Sequence, residues 1–147
     1  MRIQFSARVR QSVDVIRERF DESLFTALMP AWVPSKLVRF DGCAPRDEVH
    51  LVVGPLHQDW VSVITKETQT PSGWSFVDEG KLLPWPFRSW HHHHRVDRIS
   101  EDESLIVDDI TYQCKPGLLS IFAWPVLWLV FSSRPASYQR YFSRDNS

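Results

Sequence analysis

Four consecutive histidines, His91 to His94, and two aspartates, Asp78 and Asp108, are the residues of this 147-residue sequence whose side chains could do chemistry. An imidazole beside a carboxylate can act as an acid–base pair, because the carboxylate orients the ring and stabilises its charged form. Two histidines and one carboxylate can also hold a divalent metal ion. The third interpretation is a buried polar cluster whose members hydrogen-bond to each other. We favour this third interpretation and expect neither a metal nor a cofactor, because a metal site also needs an open coordination geometry and supporting second-shell groups.

A β-hairpin should position these residues. Two runs of alternating apolar and polar residues flank the polar segment Asp97–Ser104, which is typical of two strands joined by a turn. A turn centred near Glu101 places four pairs of residues opposite each other: Val96 and Ile106, His94 and Asp108, His92 and Ile110, Trp90 and Tyr112. All eight side chains then lie on one face, because side chains alternate along a strand. A mostly apolar face with a few polar groups is typical of a ligand pocket.

This face and the last helix should enclose a ligand-binding cavity. Asp78 shares its strand face with Phe76, so an inward Asp78 would need a buried partner, and a histidine of the neighbouring strand is the nearest candidate. His94 and Asp108 are the candidate catalytic residues if the protein is an enzyme, whereas His91 and His93 should face solvent. The predicted ligand-binding residues are Phe76, Asp78, Trp90, His92, His94, Asp108, Ile110, Tyr112, Phe122 and Trp128.

Composition and charge exclude several classes of protein. The net charge is −1 and Lys and Arg are not clustered, which argues against sequence-independent binding of nucleic acid. Cys43 and Cys114 are far apart in the sequence, so we expect reduced thiols in the core. The first nine residues alternate and do not form the apolar run of a signal peptide, so we expect a cytoplasmic protein. The length suits one domain, residues 1–147.

The order of the predicted elements favours an α+β fold. A first strand, Arg2–Arg10, precedes two short helices that Ser12 and Asp21 can cap. About six strands and one long C-terminal helix follow. Strands that are grouped together, and do not alternate with helices, favour an antiparallel sheet. A sheet of six to seven strands curves, and the long helix can pack into its concave face.

The longest apolar run, Leu118 to Phe131, belongs to this last helix. It is shorter than the about 20 residues that an ordinary membrane span needs. Pro125 lies inside it and should kink a helix, and Pro135 follows. We expect a buried helix, but an apolar exposed side could instead make a transient contact with a membrane or dock on a partner protein. The sequence leaves the oligomeric state open.

The chain resembles the START-like, Bet v 1-like superfamily, also called SRPBCC, whose members have a helix-grip fold. More specifically, it is similar to bacterial ligand-binding SRPBCC proteins related to the polyketide cyclase/dehydrase group. The similarity covers nearly the whole chain. The residues that carry it are Pro30–Trp32, Phe40–Gly42, Gly54–Leu56, Trp60, Phe76–Glu79, Pro86, Phe87, Trp90, His92, His94, Asp108, Tyr112, Phe131 and Arg134. The chain differs from the superfamily in its run of four histidines and in its uniformly apolar last helix.

The resemblance implies that the protein binds a small hydrophobic molecule, lipid-like or polyketide-like, between the sheet and the C-terminal helix, and it does not suggest a metal. Two alternatives stay open. One is an enzyme of the cyclase or dehydratase type that uses His94 and Asp108. The other is an interaction protein that docks on a membrane or a partner through Leu118 to Phe131. The sequence contains no Ser-His-Asp elbow, no glycine-rich phosphate loop and no context for a cysteine nucleophile, so binding without chemistry is the favoured function.

Overall fold

Seven antiparallel strands form one curled sheet in the computed structural model, which describes residues 1–144. The order of strands across the sheet is β1-β7-β6-β5-β4-β3-β2, so the first and last strands of the chain pair with each other. The predicted α+β, helix-grip architecture is confirmed. The strands are β1 (Arg2–Val9), β2 (Ser35–Phe40), β3 (Glu48–Val53), β4 (Gln58–Thr70), β5 (Gly73–Leu82), β6 (Phe87–Arg98) and β7 (Ser104–Cys114).

Two short helices lie between β1 and β2, and two helices follow β7. They are α1 (Val13–Glu18), α2 (Glu22–Leu28), α3 (Leu119–Ser132) and α4 (Arg134–Ser143). The first two begin at the predicted caps: Ser12 Oγ accepts a hydrogen bond from the Val15 amide (3.2 Å), and Asp21 Oδ1 accepts one from the Leu24 amide (3.0 Å). These side chains satisfy amides that have no partner in the first helical turn.

The hairpin of β6 and β7 has the register that the hydrophobic pattern predicts. Trp90 faces Tyr112, His92 faces Ile110, His94 faces Asp108 and Val96 faces Ile106. A shift of one residue would turn every side chain of one strand to the other face of the sheet, which would expose the apolar residues of β7. The neighbouring strand β5 continues the pattern, since Asp78 pairs with His92 and Phe76 with His94.

Two hydrophobic clusters form the core on the concave face. The first cluster gathers α1, α2 and α4 around Trp74, Phe76 and Ile106. The second cluster gathers Trp90, Ile110 and Tyr112 of the sheet with Leu127 and Phe131 of α3. The C-terminal helical segment therefore contributes to both clusters, with α4 packed in the first and part of α3 in the second.

Helix α3 is much more exposed than the sequence led us to expect. Only Ser120, Leu127 and Phe131 of this helix are buried. The expectation of a buried helix over the apolar run is therefore wrong for most of its surface. The large apolar residues exposed on this segment are Leu118, Ile121, Phe122, Trp124, Val126, Trp128 and Leu129. The helical segment Leu119–Ser143 has the length and composition of a membrane span, but Tyr138 and Phe142 in its second half are fully buried in the core.

Candidate functional site

Asp78, His92, His94 and Asp108 form a buried polar cluster between the two hydrophobic clusters. Asp78 comes from β5, both histidines from β6 and Asp108 from β7, so three adjacent strands bring the four side chains together. The imidazole of His94 stacks on Phe76 of the first hydrophobic cluster, with centroids 4.4 Å apart and planes 17° apart. The two imidazoles contact each other, with ring centroids 3.6 Å apart.

Asp78 lies at one side of the two imidazole rings. Its Oδ2 is 3.3 Å from His94 Nε2 and 3.7 Å from His92 Nδ1. Its other oxygen, Oδ1, accepts a hydrogen bond from Trp90 Nε1 at 3.2 Å. The histidine partner that the sequence suggested for an inward Asp78 is therefore present, and both histidines take this role.

Asp108 lies at the opposite side of the same two rings. Its Oδ1 is 3.0 Å from His92 Nε2, with which it forms a hydrogen bond, and 3.0 Å from His94 Nδ1. The second contact is close, but its angle is poor, and His94 Nδ1 has no hydrogen-bond partner among residues 1–144. Asp108 Oδ1 also accepts a hydrogen bond from the Tyr138 hydroxyl (3.3 Å) and lies 3.6 Å from Arg134 Nη1.

Burial and neighbouring charges set the protonation of the cluster. Burial and the charge of His94 lower the pKa of His92 to about 4. Burial also disfavours the charged form of His94, but the close contacts with the carboxylates of Asp108 and Asp78 outweigh it and raise the pKa of His94. Burial opposes ionisation of Asp108, yet Arg134 and the two histidines hold its pKa well below the usual value. The pKa of Asp78 is likewise lowered: burial opposes its ionisation, but the hydrogen bond from His94 outweighs it.

These directions favour paired charges in the cluster. Near neutral pH the two carboxylates are ionised and His92 is neutral, while the raised pKa of His94 favours its charged form beside the Arg134 guanidinium. Buried charges are tolerated when they are paired in this way. The cluster can therefore persist in the core without a bound ligand.

An apolar cavity of ≈ 170 Å³ lies next to the cluster, between the sheet, α2 and the C-terminal helices. Its polar lining residues are Ser62, Asp78, His92 and Arg134. Among its aromatic residues, Trp60 and Trp90 make an edge-to-face contact with centroids 4.7 Å apart. The remaining lining residues are Phe25, Met29, Val33, Val49, Leu51, Val53, Leu127, Val130 and Phe131.

Three of the ten predicted ligand-binding residues line this cavity, namely Asp78, Trp90 and His92. His94 and Asp108 are buried beside it and contact His92 or Asp78. Phe76 packs in the first hydrophobic cluster, and Ile110 and Tyr112 pack in the second. These five residues support the cavity wall from behind.

Phe122 and Trp128 do not line the cavity, which corrects the expected arrangement of the last helix. Phe122 is 64% exposed, and Trp128 is 46% exposed and packs against Phe5. The cause is the rotation of α3, which turns Leu127, Val130 and Phe131 toward the sheet.

Sequence reasoning missed the wall that β3 and α2 provide. Val49, Leu51 and Val53 lie on one face of β3 because side chains alternate along a strand, but the sequence signal is weak, since His50 is polar while Val52 on the other face is as apolar as its neighbours. Arg134 follows Leu127 and Phe131 at helical spacing, which places all three on one side of the helix. No local signal predicted that α2 would close the cavity, since that depends on the position of a distant segment.

A larger groove of ≈ 950 Å³ lies elsewhere, between the start of α1 and the β6–β7 turn. It is an open surface lined mainly by polar and charged residues, including Arg8, Glu103 and Gln139. Arg8 and Glu103 already form an ion pair across it. We therefore regard the smaller apolar cavity as the candidate ligand site, because ligand sites are usually concave and mostly apolar.

Solved structures of known proteins share this arrangement of elements. A START superfamily protein from Mycobacterium smegmatis superposes with a TM-score of 0.65 and 10% identity, over 97% of this chain and 97% of that one. Protein Ms6760 from the same species superposes with a TM-score of 0.64 and 17% identity, over 98% of this chain and 92% of that one. A third structure is a point mutant of norcoclaurine synthase from Thalictrum flavum in complex with a transition-state analogue. It superposes with a TM-score of 0.69 and 11% identity, over 100% of this chain and 96% of that one.

Sequence comparison assigns the chain to no family, because no family model and no curated protein matches it. At these identities the structural likeness establishes the fold. It agrees with the strand order, with the two short helices after β1 and with the C-terminal helix against the concave face. The chain has a START/Bet v 1-like fold.

Proposed function

We propose that this protein binds a small, mainly apolar molecule in the cavity between the sheet and the C-terminal helices. The observation that carries the proposal is a partly open, mainly apolar cavity that has Asp78, His92 and Arg134 on its wall. Most of its lining can bury hydrocarbon, while the three polar residues can orient one polar group of the ligand. Residues 1–147 act as the single binding domain in this proposal.

The cavity volume limits the class of ligand. A cavity of about 150 Å³ in another protein binds benzene, and this cavity has a volume of ≈ 170 Å³. A single aromatic ring with a short polar substituent fits this space, as does the end of a longer lipid-like or polyketide-like chain. The fold supports the proposal, because SRPBCC proteins typically bind hydrophobic ligands.

The enzyme alternative receives less support from the positions of the two candidate residues. His94 and Asp108 lie behind the cavity wall, and Asp108 is only 1% exposed. A general acid or base must reach the proton that it transfers, directly or through one water. A ligand in this cavity meets Asp78, His92 and Arg134 first, so we favour binding without turnover.

A matched pair of variants tests the binding site. Val130 lines the cavity, and Val126, one turn earlier in α3, is exposed. Toluene and benzyl alcohol should shift the amide resonances of cavity-lining residues in an NMR titration. Val130→Phe should weaken binding at least tenfold by filling the cavity, while Val126→Phe should leave it unchanged.

Two results would contradict the proposal: neither compound shifts the cavity resonances of the wild-type protein, or both variants bind as well as wild type. Native mass spectrometry of protein purified from its own host provides an independent check. A co-purifying apolar molecule that is absent from the Val130→Phe variant would identify the class of the natural ligand.

The exposed apolar face of α3 supports a second function, docking on a membrane. We propose an anionic lipid bilayer as the occupant. Residues 110–144 contain no Asp or Glu, and the basic residues Arg88 and Lys115 lie with Ile121 at the start of α3. Trp124 and Trp128 add amphipathic rings of the kind that favour the membrane interface. Apolar residues flanked by cations match an anionic lipid surface better than a neutral one.

Sedimentation with lipid vesicles tests this second function. The protein should bind phosphatidylcholine vesicles that contain phosphatidylserine more strongly than pure phosphatidylcholine vesicles. Replacing both Phe122 and Leu129 by Ser should abolish binding, whereas Trp85→Ser, at an apolar residue that is 71% exposed outside α3, should not. A stable dimer in light scattering that the double variant breaks, without vesicle binding by wild type, would show that α3 is covered by a second copy instead.

A further inference from the structure

We propose that Asp78, His92 and His94 form a binding site for a divalent transition-metal ion, with an open coordination position toward the cavity. The site goes beyond the proposed binding of an apolar molecule and does not depend on it. It also departs from the expectation, based on the sequence alone, that the protein holds no metal. The proposal rests on the distances between the three donor atoms and on the contacts that Asp108 and Trp90 make with the same side chains.

The three donor atoms lie at distances suited to one ion. Asp78 Oδ2 is 3.3 Å from His94 Nε2 and 3.7 Å from His92 Nδ1. Two ligands of a tetrahedral zinc ion, each bonded at about 2.0–2.2 Å, are roughly 3.3–3.6 Å apart. One donor atom from each of the three residues lies within 4.8 Å of the other two.

Second-shell groups contact the opposite atoms of the same side chains. His92 Nε2 is hydrogen-bonded to Asp108 Oδ1 at 3.0 Å, and His94 Nδ1 lies 3.0 Å from the same oxygen without a hydrogen bond in the present ring orientation. The free oxygen of Asp78 accepts a hydrogen bond from Trp90 Nε1. Metal-binding histidines usually direct their second nitrogen to a carboxylate or carbonyl oxygen, which fixes the ring and increases its basicity. The second-shell support that the sequence did not reveal is therefore present.

The donor set indicates the class of metal and the character of the site. Two imidazoles and one carboxylate suit zinc, iron(II), cobalt(II) and related ions, and suit calcium or magnesium poorly. Three protein ligands leave a fourth position for water or for a ligand atom. Asp78 and His92 line the cavity, so this open position lies on the side from which a small molecule enters.

Cobalt(II) is a suitable probe, because its visible absorption reports coordination. The metal-stripped full-length protein should bind one equivalent of cobalt(II) with the intense visible bands of a four- or five-coordinate ion, and zinc should displace it. His92→Gln and Asp78→Asn should each weaken cobalt binding at least a hundredfold. The control replaces both His91 and His93 by Gln, because these two residues are the more exposed members of the histidine run and could bind metal adventitiously.

The outcomes separate this site from adventitious binding and from the apolar-ligand proposal. Retention of the visible bands in the His91/His93 control, together with their loss in His92→Gln, supports the site. The proposal is overturned if wild type gives only the weak bands of an octahedral ion, or if only the exposed pair affects binding. If a core variant fails to fold, the visible spectrum of cobalt bound to the wild-type protein still shows whether the ion is four- or five-coordinate or octahedral. Failure of toluene and benzyl alcohol to bind the wild-type protein would leave this test intact, because the cobalt spectrum is measured without either compound.

Discussion

His94 and Asp108 face each other across β6 and β7, with His94 Nδ1 3.0 Å from Asp108 Oδ1. The same oxygen also contacts His92, Arg134 and Tyr138. One carboxylate thus collects partners from its neighbouring strand and from α4. We infer that these contacts help to hold α4 against the sheet.

Asp108→Asn should lower the free energy of unfolding by about 1–3 kcal/mol, because a neutral amide leaves Asp78 as the one remaining carboxylate near His94 and Arg134 in the cluster. Urea denaturation monitored by circular dichroism measures the change. Asp109→Asn is the matched control, since Asp109 is the next residue and pairs with the exposed Arg2 on the other face. Equal stability of the two variants would refute the structural role of Asp108.

Arg134→Met should destabilise the protein by about 3–5 kcal/mol, the usual effect of removing one partner of a buried ion pair. Arg134 is only 7% exposed and also packs over the Phe131 ring, with its guanidinium carbon 4.3 Å from the centroid. Arg140→Met, at an exposed position of the same helix, should have little effect. A similarly small effect at Arg134 would show that Asp108 is satisfied by its other partners.

Trp90→Phe should weaken the binding of benzyl alcohol more than it weakens the fold. The change keeps an aromatic ring next to Trp60 but removes the hydrogen bond from Trp90 Nε1 to Asp78, so the carboxylate on the cavity wall loses its orientation. The dissociation constant from the NMR titration is to be compared with the denaturation midpoint. Trp85→Phe, outside the cavity, is the control, and an unchanged dissociation constant for Trp90→Phe would contradict the prediction.

Cys43 should react very slowly with Ellman's reagent at pH 8 in the folded protein. Burial and then the charge of Asp47 raise the pKa of Cys43 to about 12, and only the thiolate is reactive. A raised pKa means less thiolate at any given pH below it, and the thiolate fraction grows tenfold per pH unit in that range. Both cysteines should react rapidly in urea. Fast modification of one thiol in the native state would contradict this expectation.

The register of the central hairpin follows from the sequence, because it depends on local rules. Period-two alternation excludes a slip of one residue between β6 and β7, which would expose Ile106, Ile110 and Tyr112, and a turn centred near Glu101 then places His94 opposite Asp108. The two helix caps follow equally from the local chemistry of Ser12 and Asp21. The order of elements and the resemblance to the superfamily were sufficient for the fold.

The rotation of α3 and the closure of the cavity were decided only by the tertiary structure. Helix α3 is apolar on all sides, so its pattern does not distinguish a buried face from an exposed one, and Phe122 was placed on the wrong side. The sharing of both imidazoles between Asp78 and Asp108 also depends on three strands at once, whereas a hairpin pattern describes only two. The sequence thus determined which residues point inward, and the packing of distant segments determined which of them meet the cavity, the solvent or each other.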